Sequence, residues 1–274
     1  MPYELVIKII NEASDIGVLT IGFSGGEPFI RSDILDLIEY AIKKDLSVEI
    51  ETNATLLTDS ILRKLTQLGY IRLTISLDGA KEETHDYLRG SRVFNKVMNA
   101  LKMLNTYNIL VKINTTLYRN NINELPEILS IIQKHNIKLW QISLLAISGR
   151  AQKYKDLLSI DRVILKRYRD IICSVIKAAQ SSGIKVFLSS MIKYYLNETI
   201  TVAPCENFKN YLRIMPDGTV YPYPFAWYRI GNIGHTSLYH IIKELDIIRS
   251  SKKVCQVCMR RHICPNFSHN LLNS

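Results

Sequence analysis

Val18-Leu-Thr-Ile-Gly-Phe23 runs directly into Ser24-Gly25-Gly26-Glu27-Pro28. The first six residues are mostly apolar and β-prone, and the next five are small, turn-forming or polar. A strand with such an exit predicts a turn and then a helix. Ile34–Lys43 supplies that helix, with Ser32 or Asp33 as its N-cap. The same alternation extends outward. Glu4–Ala13 reads as an amphipathic helix ahead of the strand. Behind it come strands at Ser47–Glu51, Ile71–Leu77, Ile109–Leu117 and Lys138–Leu145, and helices at Thr58–Leu68, Phe94–Tyr107 and Ile122–His135. Strict alternation predicts βα units, right-handed crossovers and a parallel sheet. Helices on one side of that sheet give a curved, barrel-like wall, with the ligand at the C-terminal strand ends.

Those ends carry Ser24–Pro28, Thr52-Asn53-Ala54, Asp78-Gly79 and Ser148-Gly149-Arg150. Singly, each is an ordinary turn. Four of five exits on one rim is a stronger pattern. The paired glycines let main-chain groups approach a ligand with no Cβ between.

After residue 150 the pattern changes. Ser159–Ser182 reads as one long helix closed by Gly183, and Lys185–Leu188 is a candidate strand. Tyr211–Met215, Pro216-Asp217-Gly218 and Thr219–Tyr221 carry a hairpin signature with Asp-Gly in the turn. Ser237–Ile248 is a short helix. The boundary falls within residues 189–204, giving a barrel over 1–188 and a small unit over 189–274. A unit that small gains from a metal staple.

Five cysteines occur, none before residue 173. Cys173 lies in an apolar helical run and reads as a small buried hydrophobe. Cys255-Gln-Val-Cys258 and Cys264 fall within ten residues, and Cys205 is a fourth candidate ligand. Two thiolates with two residues between them can turn around one metal, either zinc or an iron–sulfur cluster. An odd count without an export signal argues against a disulfide framework. No apolar run is long enough to span a membrane, and the expected location is the cytoplasm. The formal net charge is +10. The basic residues read as scattered, which suits a solvated surface better than nucleic acid.

Phe23-Ser-Gly-Gly-Glu-Pro28, Glu51-Thr-Asn53, Ile75-Ser-Leu-Asp-Gly79, His85-Asp86, Arg89-Gly90 and Gly149-Arg-Ala151 occur in order, followed by Cys205, Asp217-Gly218, Gly231-Asn-Ile233 and the cysteine group. This ordered set resembles the radical S-adenosylmethionine (SAM) superfamily, in its branch with a C-terminal SPASM or twitch extension. The resemblance covers residues 4 to 268. It implies an α/β fold, a partial (β/α)6 barrel, with a small cysteine-containing domain. It implies SAM as cofactor, with Gly25, Gly26, Glu27 and Pro28 at its amino group and Asn53, Ser76 and Asp78 beside it. It implies a [4Fe–4S] cluster that cleaves SAM to a 5′-deoxyadenosyl radical, a reductant protein such as flavodoxin or ferredoxin, and a peptide or small-molecule precursor as substrate. Cys205, Cys255, Cys258 and Cys264 become ligands of at most one auxiliary cluster, with zinc as the other occupant.

The chain also departs from that pattern. The family's Cys-x3-Cys-x2-Cys loop and the strand before it are absent from the 274 residues. The expectation is a protein unable to run the radical reaction as it stands, by a late start site, fragmentation or degeneration, with Val18–Phe23 as an unpaired sheet edge. Tyr223 and Ser268 stand where a full SPASM domain has cysteines. His262 and His269 are weak substitutes for a sulfur ligand. Tyr221, Tyr223, Trp227 and Tyr228 read as packing, or else as a substrate wall. Two other readings compete: a non-catalytic binder of SAM or peptide, and a zinc-stapled α/β protein.

Overall fold

Six short strands run parallel and lie side by side in the order of the chain: β1 (Thr20–Phe23), β2 (Ser47–Thr52), β3 (Ile71–Ser76), β4 (Leu110–Leu117), β5 (Leu139–Leu144) and β6 (Lys185–Leu188). A sequential order with no reversal is that of a singly wound wall rather than a doubly wound sheet. The computed structural model describes residues 1–147, 149–189, 192, 193, 196, 211–222 and 229–250.

The helices are α1 (Tyr3–Asp15), α2 (Ile34–Lys43), α3 (Asp59–Leu68), α4 (Glu82–Arg89), α5 (Val93–Leu104), α6 (Leu125–Lys134), α7 (Lys155–Leu158), α8 (Arg162–Arg167) and α9 (Arg169–Ser181). Each long one buries residues at helical spacing. In α2 these are Ile34, Leu37, Ile38 and Ala41. The strands bury the alternate set: Val48 and Ile50, Leu73 and Ile75, Ile113 and Leu117, Trp140 and Ile142. Trp140 is fully buried, and its Nε1–H donates to Thr115 Oγ1 at 2.9 Å.

The other sheet face is polar. The register aligns Glu49 with Arg72, Glu51 with Thr74, Thr74 with Lys112, and Ser76 with Asn114, which faces Gln141 in turn. Glu49 pairs with Arg72 and with Lys112, the latter at 2.6 Å, and accepts from Thr74 Oγ1 at 2.6 Å. Burial alone would raise the Glu49 pKa. The hydrogen bonds from Arg72, Lys112 and Thr74 outweigh it and hold the carboxyl at about 2, against an ordinary 4.5. A lowered folded-state pKa stabilises the fold fully above the ordinary value and loses that contribution as pH falls toward the folded one. Wild-type stability should therefore drop between pH 4.5 and about 2, and Glu49→Gln should flatten that drop in urea titrations. An equally steep fall in the variant would place the acid sensitivity elsewhere.

The structure adds one helix to the sequence reading and divides another. The polar segment Glu82–Arg89 is a helix, although it buries only His85 and so carries no apolar stripe. The single helix expected over 159–182 is two. Asp161 caps α8 by accepting from Ile164 N, and the chain leaves helical geometry at Tyr168. The candidate strand at 185–188 forms and closes the wall beside β5.

β1 is the free edge of the sheet among the described residues, pairing only with β2. The hairpin forms as β7 (Arg213–Ile214) and β8 (Thr219–Tyr221), joined by an unanticipated third strand, β9 (Gly231–Asn232). α10 (Leu238–Ser250) follows. This unit is bonded to α1. Lys8 Nζ donates to Ile233 O at 2.7 Å, and Glu12 accepts from Leu238 N at the first residue of α10, at 2.6 Å. No helix among the described residues is long and apolar enough to cross a membrane.

Candidate functional site

The exits of β1, β2 and β3 adjoin along one rim. At the first, Ser24 Oγ donates to Glu51 at 2.7 Å. Gly25 has φ +141°, and a Cβ built at Gly25 or Gly26 meets nothing within 4 Å. Main chain is therefore open to solvent here. The next two residues turn inward. Glu27 is buried, and its carboxylate accepts from Thr52 Oγ1 at 2.8 Å, Asn53 N at 2.8 Å and Phe29 N at 3.3 Å. Pro28, also buried, opens a single 3-10 turn. Glu27 thus rivets the first exit to the second and leaves the glycines outermost.

At the second exit, Thr52 Oγ1 accepts from Ala54 N at 2.9 Å, and Ala54 sits at φ 60°. Asn53 Oδ1 accepts from Thr55 N and Thr55 Oγ1, at 2.9 and 2.7 Å. The Asn53 amide nitrogen makes no bond among the described residues.

The third exit is held from four sides. Asp78 is fully buried. Its carboxylate pairs with Arg89 and accepts from Thr116 N at 2.7 Å. Its N–H donates to His85 Nδ1 at 3.1 Å, and its carbonyl accepts from Asn121 Nδ2 at 2.7 Å. His85 is buried, and burial pushes its pKa down, so the ring stays neutral and Nδ1 is free to accept. Glu124 accepts from Ala80 N at 2.7 Å. Ser76, half-buried on the polar face, has no side-chain partner among the described residues. Asn114 beside it has a buried Oδ1 without a partner among them.

Gly79 is forced by this packing. A Cβ there would lie 2.6 Å from His85 N and 3.0 Å from Thr84 Cβ. Gly79→Ala should cost about 1–3 kcal/mol by overpacking, read as a lower melting temperature. An unchanged melting temperature would mean that the α4 turn yields freely.

Sequence reasoning brought Gly25, Gly26, Glu27, Pro28, Asn53, Ser76 and Asp78 to one rim, and the structure places them there. It put Thr52 on the rim without its bond to Glu27, and it missed Thr116 and Asn121. Asn121 ties Asp78 O and Thr116 O together while accepting from Tyr118 N. Nothing in Arg119-Asn-Asn-Ile122 marks it beyond a turn. Ser148, Cys205, Cys255, Cys258, Cys264, His262, His269, Tyr223, Trp227 and Tyr228 lie outside the described residues.

The rim fits a small polar ligand held by main chain, because the glycines leave space and the Asn53 amide nitrogen and Ser76 hydroxyl are uncommitted. An iron–sulfur cluster is another matter. Residues 1–172 hold no cysteine. Cys173 is half-buried on α9, and no group of three His, Cys, Asp or Glu could hold a metal ion among the described residues. The described residues do not fit a cluster.

The profile of the radical SAM superfamily matches residues 1–132. The chain carries a radical SAM domain. It is 25% identical to an AdoMet-dependent heme synthase of Methanosarcina barkeri, over 93% of this chain and 78% of that protein. It is 33% identical to the mycofactocin maturase MftC of Mycolicibacterium smegmatis, over 52% of this chain and 36% of that one. Streptococcus suis SuiB, solved with its precursor peptide SuiA, superposes with a TM-score of 0.73 at 19% identity. That match covers 88% of this chain and 57% of SuiB, and it shows a common fold. The relatives of this domain thus include a heme synthase and a maturase, and its structural neighbours a protein solved with a precursor peptide. Its parallel six-stranded sheet is consistent with the partial barrel expected from sequence.

Proposed function

We propose that this chain is the SAM-binding, substrate-facing part of a radical SAM enzyme that modifies a peptide. The observation that carries the reading is the open main chain at Gly25 and Gly26, on a rim shared with the Asn53 amide nitrogen and the Ser76 hydroxyl. The glycine main chain takes the ligand's amino-acid end. Asn53 and Ser76 are the donors assigned to its sugar. SAM, when bound, is the source of the hydrogen-abstracting fragment. Pro28 fixes the first turn. Glu27 and Asp78 act through other protein groups and are positioning residues, since their oxygens are taken up within the fold.

MftC and SuiB support a peptide substrate. A tetrapyrrole substrate is the second reading, favoured by the heme synthase match over 93% of the chain. The same reading divides the chain at 188/189. It gives Cys205, Cys255, Cys258 and Cys264 an auxiliary iron–sulfur cluster or zinc, a flavodoxin or ferredoxin as electron donor, and the cytoplasm as location. Calorimetric titration tests it. SAM should bind with a Kd on the order of 10–100 μM, about 6 kcal/mol, and ATP should not bind. Equal heats for both, or none for SAM, would overturn it.

A further inference from the structure

The basic residues are less evenly spread than the sequence reading has it. Residues 149–169 hold seven Lys or Arg against two Asp, a net +5 and half of the chain's +10. Lys153, Lys155 and Arg167 are exposed. None of the three has an ion-pair partner among the described residues. The same short segment exposes three apolar side chains, Tyr154 at 54%, Leu157 at 58% and Val163 at 66%. Buried Leu158 and Leu165 anchor the segment from beneath. It follows the C-terminal end of β5, and Arg119 N, just beyond β4, donates to Leu158 O at 3.3 Å. It therefore stands on the rim, on the β4–β5 side away from the glycines.

Exposed apolar side chains set among unpaired cations suit a partner that is both apolar and anionic. Each feature alone is ordinary. Lysines on a surface only solvate it, and single exposed hydrophobes need no explanation. Their coincidence beside the barrel mouth is the point. Nucleic acid would use the charge and leave Leu157 and Val163 idle.

We propose that the surface formed by Lys153, Tyr154, Lys155, Leu157, Val163 and Arg167 docks an acidic, apolar-rich peptide segment and so delivers an attached substrate peptide to the mouth. The inference deepens the peptide reading above and rests on it for the reason a peptide comes to this rim. The segment docked is distinct from the residues to be modified, because the glycine rim lies across the sheet.

Fluorescence anisotropy on the full chain tests it. The probe is a labelled peptide of about 20 residues rich in Glu and Leu, a length ample for one surface segment. The control has every Glu replaced by Gln. The acidic probe should bind about tenfold more tightly than the control and should weaken about tenfold between 0.05 and 0.5 M NaCl. Combined Lys153→Glu, Lys155→Glu and Arg167→Glu should remove at least about tenfold of its affinity, and Leu157→Ser with Val163→Ser about threefold. Circular dichroism and SAM calorimetry on both variants should match wild type. Equal binding of the two probes, an unaffected charge-reversal variant, or tighter binding of poly(U) RNA than of the acidic probe would overturn the proposal. If SAM binds and the acidic probe does not, only the docking surface falls. If the probe binds and SAM does not, the docking surface stands and the SAM reading falls.

Discussion

Asp78→Ala is expected to destabilise the fold by about 3–5 kcal/mol, lowering the melting temperature by roughly 10 °C. The carboxylate is fully buried, and four partners depend on it or on its backbone: Arg89, Thr116 N and, through the main chain, His85 and Asn121. Alanine leaves the Thr116 N–H without an acceptor and the Arg89 guanidinium without its counter-charge. The Arg89 side chain is 30% exposed, so it recovers some hydration, and the loss falls nearer the lower figure. Asp78→Asn keeps an acceptor for Thr116 and should cost only about 1–2 kcal/mol. Thermal and urea unfolding of both variants check the ranking. A loss under about 0.5 kcal/mol for the alanine would show that the third exit does not depend on this carboxylate.

Gly26→Val should abolish SAM binding, with affinity down by at least about thirtyfold, or 2 kcal/mol, at unchanged stability. The two halves of that expectation come from one measurement of space. A Cβ at Gly26 meets no protein atom within 4 Å, so the isopropyl group is not resisted by the fold. It stands instead where the ligand's amino-acid end has been placed. Gly25 is the poorer test, because φ +141° strains any side chain whatever binds there. Calorimetry and a melting curve on the same sample separate the effects. Retained affinity would move the ligand away from the glycines, and a lowered melting temperature would mean that the turn is packed in a way its open geometry does not show.

The alternation of strands and helices was legible because each element here has one apolar face. Val48 and Ile50 alternate with Glu49 and Glu51, and Leu37, Ile38 and Ala41 recur at helical spacing. Where that face is missing, the reading failed. The segment Glu82–Arg89 is helical with a single buried residue, so periodicity had nothing to find. The rim was legible as a set of turn residues, since turns need Gly, Asn and Asp wherever they occur. Direction was not. A glutamate and an aspartate at strand exits look alike whether they face ligand or protein, and both Glu27 and Asp78 prove to face inward. Only the position of Thr52, Asn53 N and Thr116 N decides that, and those contacts join residues 25 to 38 apart in sequence. Asn121 was illegible for the same reason.

Hydrogen–deuterium exchange with and without SAM tests the central claim most directly, because it reports where the main chain is covered. Slower exchange is expected at residues 24–31, 52–57 and 76–79 alone, with no change along α6 and α9. Unaltered rates at the paired glycines, or protection found only at a distant surface, would contradict it.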